Sequence, residues 1–330
     1  MKKIMSILIT LFFLVSSAVY ADTGDVPFSV TPVFPDNQSK EITGYFDLKV
    51  TPSDQQYLQV KLFNTTTEEI EVEVTANSAV TNANGLIVYD GHVESKQKNP
   101  FSQLAEVEEK VIKIAPGQTE TTRIKVKAPD KRFKGELLGG LYFLQKSDSK
   151  EKDGVQIKNN YAYAIAVRMY EANQNKQVKP ELELLQVKPA LVDQRTAVEA
   201  EFINKQPVMM GQLKFNAQVF RKGSDKPIYV QQIDEFNVAP DGTFKVPMSL
   251  NNEALKAGNY VYKANFKDDK KNYHLEKEFT ISKKQVEQIN NEAVELEKPI
   301  NWWIYIAIAL LLIVALLFYL VMNLKKKIKE

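Results

Sequence analysis

Residues able to carry chemistry are few and scattered along this chain. The two histidines, His92 and His274, stand in separate stretches with no second ligand of metal-site type nearby, so no metal centre is implied. Cysteine is absent, which removes thiol nucleophiles, thiolate ligands and disulfides together. No Gly-x-Ser-x-Gly elbow, phosphate-cradling glycine loop or His-Glu-x-x-His pair occurs. A serine–lysine pair or paired carboxylates would converge only in the folded chain, so that chemistry stays open at the level of sequence. The pattern implies no cofactor and reads as that of a binding protein, not an enzyme.

Candidate binding residues are polar or space-making. Asn82, Asn84 and Tyr89, in Thr81-Asn-Ala-Asn-Gly-Leu-Ile-Val-Tyr89, combine amides and a phenol beside a turn, which suits hydrogen bonding and stacking to sugars. The same Asn-Gly pair is also an ordinary turn former, because both residues tolerate positive φ. Gly139 and Gly140 interrupt an apolar strand, which marks a bulge or the close approach of a ligand or another backbone. Two charged stripes, Glu69, Glu71 and Glu73, and Arg123, Lys125 and Lys127, each alternate along a strand and read as solvated faces.

Period-two alternation positions these residues. It runs from Phe28 to Ile281, as in Tyr57-Leu-Gln-Val-Lys-Leu-Phe63, with turn pairs such as Asn84-Gly85, Asp153-Gly154 and Asp241-Gly242 between the runs. Many short strands with frequent turns predict an all-β fold of two tandem immunoglobulin-like β-sandwiches. An internal repeat supports two copies. A strand ending in Asn64 or Asn204, an Ala-Pro turn at Ala115-Pro116 or Ala239-Pro240, and a glycine-led strand with Tyr142 or Tyr260 recur in that order. The first domain is expected over 22–171, with Tyr161 to Tyr170 as its closing strand, and the second over 172–282. Residues 146–158 read as a charged hairpin tip.

The two ends read differently. Residues 1–21 have the n-, h- and c-regions of a signal peptide. Residues 283–299 carry apolar positions at helical spacing and read as a helical stalk, and the uncharged run 300–324 reads as one transmembrane helix. Trp302, Trp303 and Tyr305 would form its outer belt, and Lys325, Lys326 and Lys327 would hold the tail 325–330 in the cytoplasm. The expectation is a single-pass membrane protein with most of the chain outside. Between 22 and 299 the chain holds 37 basic and 40 acidic side chains, which offers no footprint for nucleic acid.

Several segments in order resemble the WxL-interacting protein family of Gram-positive bacteria. In the first half these are Phe28-Ser-Val-Thr-Pro-Val-Phe-Pro35, Gly44-Tyr-Phe-Asp-Leu-Lys-Val50, Thr81-Asn-Ala-Asn-Gly85 with Tyr89, and Phe133-Lys-Gly-Glu-Leu-Leu-Gly-Gly140. In the second half they are Asn160-Tyr-Ala-Tyr-Ala-Ile-Ala-Val167, Val238-Ala-Pro-Asp-Gly-Thr-Phe244, Gly258-Asn-Tyr260 and Asn290-Asn-Glu-Ala-Val294. The resemblance implies a peptidoglycan-binding domain followed by a host-binding domain, with a family boundary near 157. It implies an adaptor whose partners are peptidoglycan, WxL-domain surface proteins and host extracellular-matrix proteins. A membrane-bound cell-wall hydrolase or transferase, and an accessory subunit for exported partners, are the alternatives.

Overall fold

The computed structural model describes residues 26–145, 160–172, 178–296 and 302–327, the last stretch with side chains from Tyr305 to Leu317. The signal-peptide reading of 1–21 and the hairpin tip at 146–158 lie outside the described residues.

The first half folds as strands β1 (Phe28–Val33), β2 (Phe46–Val50), β3 (Gln55–Asn64), β4 (Ile70–Ser78), a small hairpin β5 (Val80–Thr81) and β6 (Ile87–Val88), a helical turn α1 (Phe101–Leu104), then β7 (Ala105–Val107), β8 (Val111–Ile114), β9 (Thr119–Lys127), β10 (Glu136–Gln145) and β11 (Tyr161–Glu171). One sheet runs β1-β3-β9-β7 and the facing sheet β2-β11-β10-β4-β8. Alternation produces this arrangement directly. In β3 the residues Leu58, Val60 and Leu62 are buried while Gln59, Lys61 and Phe63 face outward.

The second half repeats the plan without counterparts of β2, β5, β6 and β7, as β12 (Leu182–Val192), β13 (Arg195–Asn204), β14 (Met210–Arg221), β15 (Pro227–Val238), β16 (Gly242–Ser249), β17 (Gly258–Lys267) and β18 (Asn272–Ile281). Its sheets run β12-β13-β16 and β15-β14-β17-β18, matching β1-β3-β9 and β8-β4-β10-β11. The repeated asparagines explain part of the internal repeat. Fully buried Asn64 donates from Nδ2 to the carbonyls of Glu68 and Ile114, and Asn204 donates to those of Val208 and Ala239. Each amide thus ties a strand end to the following turn and to an Ala-Pro segment across the sandwich. Five phenylalanines, Phe202, Phe215, Phe236, Phe244 and Phe266, fill the second core, with Phe215 and Phe266 4.7 Å apart at their centroids.

Two expectations for the C-terminal part need correction. Of the stalk expected over 283–299, the described part, 283–296, does not project freely. A helix α2 (Lys283–Glu292) forms there, capped by the Ser282 and Gln285 capping box, but Val286 and Ile289 pack against the second core. Asn290 accepts from the Leu255 amide at 2.9 Å and donates to its carbonyl at 3.1 Å, and the Val294 amide reaches the Gln194 carbonyl. An apolar helical face needs cover, and the sandwich beside it supplies that cover.

The single-pass anchor, and the membrane localisation built on it, are also corrected: among the described residues no helix is long and apolar enough to cross a membrane. Trp302–Lys327 is helical (α3), with side chains described from Tyr305 to Leu317. Tyr305 is exposed. The side chains of Trp302, Trp303, Lys325, Lys326 and Lys327 lie outside the described residues.

Candidate functional site

Of the candidate residues, Tyr89 and Gly140 meet on the outer face of β10, beside the junction of the two sandwiches, while Gly139 faces the first core. The β5–β6 hairpin leads there. Asn82 closes its turn, accepting on Oδ1 from the amides of Asn84 and Leu86, both at 3.0 Å. Asn84 is exposed at the tip. Gly85 follows at φ +75°, and a Cβ there would overlap the ring of Phe236, a fully buried member of the second core. The Asn237 amide donates to the Gly85 carbonyl at 2.7 Å, and the Ala239 amide donates to Thr81 Oγ1 at 2.8 Å. The turn of the first sandwich therefore caps the core of the second.

Gly139 and Gly140 are covered on opposite faces. A Cβ on Gly139 would run into the buried Phe101 ring inside the first core, and one on Gly140 would meet the Tyr89 ring outside it at 2.5 Å. Both close approaches are made by the chain's own aromatic rings. Tyr89 and Gly140 thus stand together on the outer face, with Asn82 and Asn84 further along the hairpin and Gly139 behind them. Burial, then the nearby Tyr45 and Glu136, push the Tyr89 phenol up to about 12.

Three residues that sequence reasoning did not single out complete this face. Arg168 on β11 donates from Nε to Asp47 at 2.5 Å and from Nη1 to Glu136 at 3.4 Å. Both carboxylates are almost fully buried. Glu136 also accepts from the Met209 amide of the second sandwich, and its own amide donates to the Pro207 carbonyl at 2.7 Å. Burial raises the Glu136 carboxyl above its ordinary range, against the lowering effects of Met209 and Arg168. An apolar patch of Ala79, Leu138 and Ala239 seals the seam beside it. One signal for this face was present: Leu137 to Leu141 is without a polar side chain on either face, which means that both faces of β10 are covered.

The charged stripes stay at the surface. Lys113 pairs with Glu71 at 2.9 Å, Lys127 with Asp130 at 2.8 Å, and Arg123 lies 4.2 Å from the Tyr57 ring centroid. Among the described residues no group of three or more His, Cys, Asp or Glu is placed to hold a metal ion.

Residues 28–145 match the model of the WxL interacting protein peptidoglycan binding domain, and residues 152–291 match that of its host binding domain. The chain belongs to the WxL-interacting protein family. The host-binding match begins before β11, although β11 is hydrogen-bonded to β10 and β2 of the first sandwich. No curated protein matches the chain significantly. Solved structures similar to this family member include several chaperones. The class 5 fimbriae chaperone CfaA is 11% identical over 77% of this chain and 100% of its own, with a TM-score of 0.30. The CsuC–CsuE chaperone–tip subunit complex of Acinetobacter baumannii is 14% identical over 76% and 97%, with a TM-score of 0.34. The YadV chaperone is 12% identical over 77% and 100%, with a TM-score of 0.30.

Proposed function

We propose that this chain is a non-catalytic cell-surface adaptor whose first sandwich holds peptidoglycan and whose second holds a WxL-domain surface protein or a host matrix protein. The carrying observation is the tandem match of a peptidoglycan-binding and a host-binding family model in that order. We assign the first activity to 22–171, closing with β11, and the second to 172–282 with α2 packed upon it. Exposed Asn84, beside the Asn82 turn, is the ligand-binding candidate we place against a glycan; Tyr89 packed on Gly140 supports the hairpin from the outer face of β10, and Gly139 makes room for Phe101 on the inner face.

The two sandwiches share a seam, so the full chain is the object to test. Incubated with purified sacculi and sedimented, it is expected to be retained well above an unrelated tandem sandwich. Retention no greater than that control overturns the peptidoglycan assignment. Muropeptides released during the incubation would overturn the non-catalytic one.

A further inference from the structure

Beside the seam lies a cleft of about 460 Å³, walled by Pro129, Pro207 and Pro240 and floored by Phe133 and Leu137. Five cationic side chains line it, Lys98, Lys131, Arg132, Lys134 and Lys205, against two carboxylates, Glu136 and Asp241. Both carboxylates are engaged already: Glu136 by Arg168 and the Met209 amide, Asp241 by the Lys98 amide at 3.0 Å. Lys205 is paired with Glu181 and Glu183. Among the described residues the side chains of Lys98, Lys131, Arg132 and Lys134 have no acidic partner. A second hollow of about 490 Å³ shares Lys134 and Pro207 and adds Lys179 and Glu181, the latter already held by Lys205 and Gln206, so the groove continues across the two sandwiches.

The loop that carries most of this charge is held in place. Phe133 is buried in the first core and its amide donates to Glu171 at 2.7 Å. The Ser53 amide donates to the Pro129 carbonyl at 3.0 Å, and Gly135, at φ +77°, fits so closely under the Pro207 carbonyl that a side chain would overlap it. Lys131, Arg132 and Lys134 are exposed on a loop pinned at three points. With the loop backbone already held, binding an anion has only the side chains left to order. A solvated lysine face would need neither prolines nor an apolar floor.

We infer that this groove takes the carboxylate-bearing peptide chains of the wall polymer, with Lys131, Arg132 and Lys134 as the contacts and the sandwiches as its two walls. The inference rests on the peptidoglycan reading and names the part of that ligand which the seam recognises. A planar guanidinium matches a carboxylate bidentately, and lysines on either side suit a chain with several such groups.

The test measures retention of the full chain on sacculi stripped of phosphate-containing polymers, before and after their carboxylates are amidated. The variant Lys131→Gln/Arg132→Gln/Lys134→Gln is expected to bind native stripped sacculi at least ~10-fold more weakly than wild type, with a shallower salt dependence. The two proteins should be equal on amidated sacculi. A control, Lys61→Gln/Lys283→Gln/Lys284→Gln, changes exposed lysines elsewhere and should behave as wild type. Thermal midpoints confirm that all three are folded. Equal binding of variant and wild type to native stripped sacculi overturns the inference and leaves the adaptor reading standing. A loss seen only when phosphodiester polymers are still attached overturns the carboxylate assignment. A triglutamate peptide titrated calorimetrically against the full chain separates the remaining case. Binding that depends on Lys131, Arg132 and Lys134 supports the groove even if no sacculi are retained, whereas no dependence counts against it.

Discussion

At Gly85 a backbone requirement and a steric one coincide, with φ at +75° and the Phe236 ring against the face where a side chain would start. A left-handed backbone costs an alanine about 1–2 kcal/mol, and displacing a fully buried ring adds to that. Gly85→Ala is expected to lower stability by at least ~2 kcal/mol, read from the midpoint and slope of urea unfolding. Tyr89 leads to a pH prediction. Its folded pKa of about 12 stands above the ordinary value of 10.0, so the stability it contributes is fully present below pH 10 and is lost as pH rises through 12. Wild type should therefore lose up to ~2 kcal/mol more than Tyr89→Phe between pH 10 and 12. Equal losses would mean that the phenol is solvated. At this scale the Asn-Gly turn and the close approach at Gly139–Gly140 were legible, because turn chemistry and missing side chains are local. What approaches was not legible, since Phe101, Tyr89 and Phe236 come from elsewhere in the chain.

Elements were the most readable level. Alternation places the strands because a half-buried strand must alternate, and the repeated order of signatures reflects two sandwiches of matching strand order. The helix after β18 was equally visible in the spacing of Val286 and Ile289. Its destination was not, because an amphipathic face states that it will be covered and not by what. Its attachment is testable. Asn290→Ala removes both bonds to the Leu255 backbone and leaves a partly buried amide and carbonyl without protein partners. The expected cost is about 1–3 kcal/mol, seen as a lower urea midpoint. Ser282→Ala removes the capping box and should cost about 1 kcal/mol. A freely projecting helix would transmit neither loss to the sandwich, so the urea midpoint followed by loss of β-sheet circular dichroism is the signal to follow.

For the whole molecule the governing feature is the seam, which no single stretch of sequence contains. Tandem domains move relative to one another by default unless their interface is extensive. Here the Asn237–Gly85, Ala239–Thr81, Glu136–Pro207, Met209–Glu136, Gln97–Pro240 and Lys98–Asp241 hydrogen bonds all cross it. At roughly 0.5–1.5 kcal/mol net for each bond, together with the buried Ala79, Leu138 and Ala239 patch, the sandwiches should hold as one body and unfold together. Ala239→Asp tests this. It buries a charge at a position 4% exposed, among apolar neighbours, while leaving the two main cores intact. Wild type is expected to show one calorimetric transition. The variant should show two, with a larger radius of gyration in solution scattering as the sandwiches swing apart. Because the basic groove is built from both sides of the seam, the same variant should also lose salt-sensitive binding to sacculi while Lys131, Arg132 and Lys134 remain in place. A single unchanged transition in Ala239→Asp would mean that the sandwiches are not coupled through this patch.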